Sequence, residues 1–258
     1  MQYSDIISKK GKKGSALLLH GLGGTPENVR PLASFLIKLG FSVDAPLLPG
    51  HGTSIENLKN IKYYDLYNFC EKRLKALNQK KPIILAGSSM GGTIALDLAS
   101  KNKVNALITS SAPLFINGFY NGRLIVAQPL ILFSYFFSKF RPVYRRTSAN
   151  AYDPEKQFHG YRNEYSTGTI HSLKTEMKRI RKEIASIQCP YLSIMSRKDQ
   201  TISYVNQNVV MERCKSKHQE AIFLNEEDDH TGHHNLFTHE ENLKIILPAI
   251  KSFLERVI

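Results

Sequence analysis

The chain has 258 residues, 42% of them hydrophobic and 22% charged, enough for one large domain with an extensive core and too ordinary a mixture for long disorder. Lys and Arg give a formal net charge of +13, but no nucleic-acid motif accompanies them, so the expectation is a lysine-rich solvated surface and no nucleic-acid partner. Cys70, Cys189 and Cys214 are odd in number and widely spaced, against a disulfide framework or a zinc site, and the basic N-terminal stretch MQYSDIISKKGKKG leads into no apolar signal region; together these point to the cytoplasm.

Residues 16–19 form a short apolar run that ends in His20-Gly21-Leu22-Gly23-Gly24, the pattern of a buried strand opening into a glycine-rich loop. Thr25-Pro26 then reads as a helix start. Val29, Leu32, Ala33, Leu36, Ile37 and Leu39 follow at helical spacing and stop at Gly40. Residues 41–48 predict the next strand, closed by the turn residues of Pro49-Gly50-His51-Gly52. A helix over 64–77 precedes a strand over 83–86, a helix over 93–99 and a strand over 106–109.

Strands apolar throughout and alternating with helices indicate a mostly parallel sheet covered on both faces. That alternation fails after Pro113, because 114–187 offers helical and aromatic segments but no core strand. It resumes with a strand at 191–195, a helix near 204–214, a strand at 221–224 and a helix from about Thr238 to Val257, which Pro248 should kink or limit. The expected organisation is an α/β core of 1–113 and 188–258 carrying a helical cap insertion of 114–187. Within it 124–137 is strongly apolar, interrupted by Gln128, Pro129 and Ser134, and too short to cross a bilayer.

Gly87-Ser88-Ser89-Met90-Gly91 fits G-x-S-x-G, in which a serine sits on a sharp strand-to-helix turn with its hydroxyl above the sheet. A strand precedes it and a helix follows, as that turn requires, so Ser89 is the candidate nucleophile and Ser88 is structural. A serine hydroxyl needs a base, an orienting carboxylate and donors for the oxyanion. The Leu22 and Met90 N–H groups are assigned as those donors, with His20 orienting the loop rather than acting as base.

With these motifs in place, the chain resembles bacterial carboxylesterases and monoacylglycerol lipases of the α/β-hydrolase superfamily, most strongly over HGLGGTPENVRPLASFLIKLGFSVDAPLLPGHG and LAGSSMGGTIALDLA. The resemblance implies an α/β-hydrolase fold, a mostly parallel sheet with helices on both faces, with a small helical cap and no metal or organic cofactor. It implies an acid just after the strand that follows the cap, here Asp199 in SRKDQTIS. It also implies a histidine base: Thr231-Gly232-His233 is similar to the family's Ser-Gly-His and Thr238 stands as the following helix N-cap, which selects His233, with His234 and His230 as alternatives in the same loop. His51 resembles a family turn residue and is taken as structural.

The expected function is therefore hydrolysis of small-molecule acyl esters, of short to medium chain or monoacylglycerols, through an acyl-enzyme on Ser89. The same triad would serve a thioesterase or amidase, and a non-catalytic ligand-binding homologue is the reading from another class. A carboxylate nucleophile, as in dehalogenases and epoxide hydrolases, is disfavoured because serine stands at that position. The apolar 124–137 segment either borders an acyl pocket or seals the cap. With Arg141, Arg145, Arg146, Lys174, Lys178, Arg179, Arg181 and Lys182, which make the insertion basic, it also suits transient contact with lipid aggregates, although a solvated basic face explains the same residues.

Overall fold

The computed structural model describes residues 4–8, 10–126, 128–145, 159–161, 163–224 and 234–258. An edge strand β1 (Ile6–Ser8) precedes β2 (Gly14–Leu19), α1 (Arg30–Lys38) and β3 (Phe41–Ala45). Next come α2 (Ile55–Leu58), α3 (Tyr63–Lys75), β4 (Ile83–Ser88), α4 (Met90–Lys101) and β5 (Ala106–Ser110). Beyond β5 lie β6 (Asn117–Tyr120), β7 (Arg123–Val126), α5 (Ser134–Phe140), β8 (Val143–Arg145), β9 (Glu164–Ser166) and α6 (Thr167–Glu183). They are followed by β10 (Tyr191–Ser196), α7 (Val205–Arg213), β11 (Gln219–Leu224) and α8 (Glu240–Val257).

Seven strands form one sheet in the order β1-β3-β2-β4-β5-β10-β11. All neighbours are parallel except β1, which runs antiparallel to β3 and was not foreseen from its three-residue run. Successive strand side chains point to opposite faces, so each central strand feeds two cores. Leu17, Leu19, Leu85, Leu107 and Tyr191 join the cluster that includes residues of α3, α4, α6 and α7. Ala16, Leu18, Ile84, Ala86, Ile108 and Leu192 join the other, against α1 and α8. Burial on both faces is why these strands read as continuous apolar runs rather than alternating ones.

Between β5 and β10 no described residue adds a strand to the main sheet. The segment is less purely helical than its sequence implied, because it contains two small antiparallel pairs, β6 with β7 and β8 with β9. β6 and β7 are joined by Asn121 and Gly122, both at positive φ (47° and 76°), the requirement of a two-residue hairpin turn. α6 differs from its neighbours by sending Leu173, Met177 and Ile180 into the sheet's apolar cluster. Its Arg179 donates to Asp97 of α4 at 2.7 and 3.0 Å, while Tyr63 and Lys101 donate to the same buried carboxylate at 2.7 and 2.8 Å. Burial raises the Asp97 pKa, but the hydrogen bonds from Arg179, Lys101 and Tyr63 outweigh it and hold the carboxyl below its usual value.

At the C-terminus, α8 runs through Pro248 without interruption. Its N-cap is His239 rather than Thr238, whose hydroxyl instead donates to the Asn235 carbonyl at 2.8 Å.

Candidate active site

Ser89 lies between β4 and α4 with φ 53° and ψ −125°, a backbone conformation that L side chains rarely adopt. The flanking glycines explain why the turn can close. A Cβ on Gly87 would lie 2.3 Å from the Gly91 carbonyl oxygen, and one on Gly91 would lie 2.2 Å from the Leu19 oxygen, so both positions exclude a side chain. Ser89 N–H donates to the Ser110 carbonyl at 2.8 Å, fixing the strained residue to the neighbouring strand. Ser88 is buried.

The strand order gathers the remaining groups. β2 and β5 flank β4, β10 lies beside β5 and β11 beside β10, so the loops after β2, β4, β10 and β11 open at the carboxyl end of one parallel sheet, where such folds place their sites. Asp199 follows β10. Its Oδ1 accepts from Thr201 N–H at 2.8 Å and from Ile202 N–H at 2.9 Å, which leaves Oδ2 free to take a different partner.

That partner is His234. Its Nδ1 lies 2.8 Å from Asp199 Oδ2 and its Nε2 2.7 Å from Ser89 Oγ. An ionised carboxylate only accepts, so Nδ1 carries the proton and Nε2 presents its lone pair to the serine hydroxyl, which donates. The Asp199 side chain is fully buried and the imidazole nearly so. The sequence reading placed His233 here. His233 and His230 lie outside the described residues, and the imidazole that bridges Ser89 and Asp199 is that of the next residue. Thr-Gly-His selected the first histidine of a His-His pair, whereas the contacts to Ser89 and Asp199 are made by the second, His234.

The loop after β2 passes over Ser89 closely enough that a Cβ on Gly21 would lie 3.1 Å from Ser89 Cβ. Gly24 N–H donates to the Gly21 carbonyl at 3.1 Å with Gly23 at φ 71°, closing a turn around Leu22. Met90 is the first residue of α4, so its N–H is among the helix donors without an intrahelical acceptor. His20 is fully buried: Leu48 N–H donates to its Nε2 at 3.1 Å and its Nδ1 faces the Gly21 carbonyl at 2.9 Å. Burial, then repulsion from His51, pushes its pKa well below the usual value, so it is a neutral strut joining the loop after β2 to the one after β3. His51 packs edge-on against it at 4.9 Å. Among the described residues no group of three or more His, Cys, Asp or Glu is placed to hold a metal ion, and no helix is long and apolar enough to cross a membrane.

The profile of the family described as Serine aminopeptidase, S33 (Hydrolase_4) matches residues 10–240. The chain belongs to this family. It is an α/β-hydrolase and is similar to lipases and esterases, which bears out the resemblance read from its motifs. A thermostable monoacylglycerol lipase from Bacillus sp. (strain H-257) is 27% identical over 216 residues, 81% of this chain and 79% of that protein. A carboxylesterase from Bacillus subtilis (strain 168) is 21% identical over 250 residues, covering 96% and 95%. Among solved structures, one reported for two metagenome-derived lipolytic enzymes superposes with a TM-score of 0.81 at 19% identity, covering 98% of this chain and 97% of that one. That last likeness shows the fold.

Proposed function

We propose that the protein is a serine carboxylic-ester hydrolase acting on acyl esters of short to medium chain or on monoacylglycerols, with Ser89 as nucleophile, His234 as base and Asp199 as its orienting acid. The observation that carries this is the unbroken line Asp199 Oδ2, His234 Nδ1, His234 Nε2, Ser89 Oγ, with contacts of 2.8 and 2.7 Å. In the forward step Ser89 Oγ bonds to the acyl carbon as its proton passes to His234 Nε2. The imidazolium, stabilised by Asp199, then protonates the departing alkoxide. Water repeats the sequence on the acyl-enzyme and releases the acid. The N–H groups of Leu22 and Met90 would receive the oxyanion at each tetrahedral stage.

The relatives named lipase and carboxylesterase favour esters, while the family description names a peptidase, and the same triad would cleave a thioester or an amide. Turnover of matched nitrophenyl esters, monoacylglycerols, acyl thioesters and aminoacyl anilides by the wild type and by Ser89→Ala tests the reading. Ester turnover lost in the variant supports it, and an anilide or thioester preference by the wild type replaces it.

Lipid contact belongs to the same proposal. In 124–137, Ile125 and Ile131 pack on the core cluster, whereas Leu124, Leu132, Phe133, Tyr135 and Phe136 are exposed. A seal would bury them. Exposed aromatics beside the exposed Arg123, Lys139 and Arg141 suit a transient interfacial contact with aggregated lipid substrate.

A further inference from the structure

The loop that carries Leu22 is held from both sides. One side is Ser89. On the other, three residues from the segment between β8 and β9 lie against it: Tyr161 N–H donates to the Gly23 carbonyl at 2.8 Å, and Gly160 forms an isolated bridge with Gly24. Contact there is so close that a Cβ on Gly160, at φ 154°, would lie 2.0 Å from the Gly23 oxygen and 2.9 Å from Gly24 Cα. No side chain fits between the two backbones.

The buried side chain of Asn28, in the 3-10 turn that follows the loop, completes the attachment. It behaves like a strand neighbour: its Nδ2 donates to the His159 carbonyl at 3.0 Å and its Oδ1 accepts from His159 N–H at 2.9 Å. The far end of the segment is anchored through the Tyr161 hydroxyl, which donates to the Gly50 carbonyl at 2.9 Å and accepts from Thr53 N–H at 3.2 Å. Residues 159–161 therefore form a strap from the inserted segment across the loop after β2, tied down at 23–28 and again at 50–53.

We infer that Asn28, Gly160 and Tyr161 are positioning residues for the ester hydrolysis proposed above, setting the Leu22 N–H against the oxyanion through the strap rather than touching substrate themselves. The inference rests on that reading of Ser89 and Leu22. An oxyanion donor contributes only when it points at the place where charge develops, and removal of one such donor costs about 10² to 10³ in kcat. The glycine loop has no side chain at 21, 23 or 24 to lock its own conformation, so the strap supplies the constraint. It also makes the inserted segment part of the catalytic geometry: displacing it by about the width of a methyl group would move the donor while leaving Ser89, His234 and Asp199 in place.

The test uses the full chain, a soluble short-chain nitrophenyl ester and a trifluoromethyl ketone that forms a tetrahedral adduct on the serine. Wild-type turnover and its loss in Ser89→Ala are established first, so that failure of the hydrolase reading is seen separately. Gly160→Ala and Asn28→Ala are expected to lower kcat about tenfold to a hundredfold with KM within about threefold of wild type. Asn28→Asp, which keeps the acceptor and loses the donor, and Tyr161→Phe are expected to lower it less. Affinity for the ketone should fall by the same factor as kcat/KM, while the acid limb of the pH profile, set by His234, stays where it is. Gly160→Ala and Tyr161→Phe alter the surface strap, so they remain readable where Asn28→Ala loses the fold. Either one folded with wild-type kcat and ketone affinity overturns the inference. So does a loss of kcat with unchanged ketone affinity, or a displaced acid limb, which would place the damage in the triad.

Discussion

The apolar residues of β4 and those of the segment 124–137 look alike in sequence, yet Ile84 and Leu85 are completely buried while Phe133, Tyr135 and Phe136 are each more than half exposed. The difference lies in what covers them. β4 is flanked by β2 and β5 and packed by helices on both faces, so each of its side chains must enter a core. α5 packs on α6 but leaves its other faces uncovered, and Phe140 at its end is 69% exposed. An apolar run thus does not by itself report that the fold covers it. The candidate catalytic groups sit at the end of β4 and in loops beside it, and 124–137 approaches one of those loops through Gln128, whose Nε2 donates to the Gln200 carbonyl at 3.3 Å.

The sharpest way to break this division is at the elbow. Ser89→Ala should abolish ester turnover, by about 10⁴ to 10⁶ in kcat, and leave the far-ultraviolet circular dichroism spectrum and melting midpoint near wild type. Residual turnover within about tenfold would remove Ser89 from the mechanism. His234→Ala should be comparably silent because triad members act as a unit, whereas His233→Ala and His230→Ala should keep most of the activity. A silent His233 variant beside an active His234 variant would reverse the register that the geometry assigns.

Next in size is the junction between the regions, where α6 is tied to α4, the helix that follows Ser89. Arg179→Met leaves Asp97 buried with one cationic partner fewer and is expected to cost about 3 kcal/mol in urea unfolding. A loss under about 0.5 kcal/mol would mean that Lys101 and Tyr63 alone satisfy the carboxylate.

A smaller effect comes from His51, whose pKa burial lowers to about 4. The unfolded chain takes up this proton near pH 6.5 and the folded chain resists until about pH 4, so between those values the unfolded state binds more protons and stability falls as pH falls. His51 alone should remove about 2 kcal/mol between pH 7 and pH 5, and His51→Gln should flatten that part of the curve. Equal pH dependence in the two proteins would show that His51 has the same pKa in the folded and unfolded chain.

The smallest change in stability is expected in the exposed segment itself. Phe136→Ser should leave stability within about 0.5 kcal/mol of wild type, in contrast to the 2 to 5 kcal/mol typical of truncating a core residue such as Leu85 to alanine. Its effect should appear instead as weaker co-sedimentation with anionic phospholipid vesicles and lower turnover of aggregated monoacylglycerol, with short soluble esters unaffected. Unchanged vesicle binding would separate the exposed aromatics from lipid.

The sequence by itself determined the order of the central strands β2 to β5, β10 and β11 with the helices between them, and the glycine-flanked turn at Ser89, because each depends on local patterns; Asp199 came from the likeness to a known family. Continuous apolar runs mark doubly covered strands, and Gly87 and Gly91 permit a turn that no other residue would allow. Tertiary structure alone decided the rest. Which of two adjacent histidines faces Ser89 depends on a contact spanning 145 residues of sequence, which no local pattern reports. That α6 belongs to the core while α5 does not was equally invisible, since only the positions of α3, α4 and α7 give Leu173, Met177 and Ile180 a surface to cover. The strap shows the same limit most plainly: nothing in Asn28 or Gly160 announces a partner more than a hundred residues away, and their pairing exists only because the parallel sheet sets the β2 loop where the inserted segment returns.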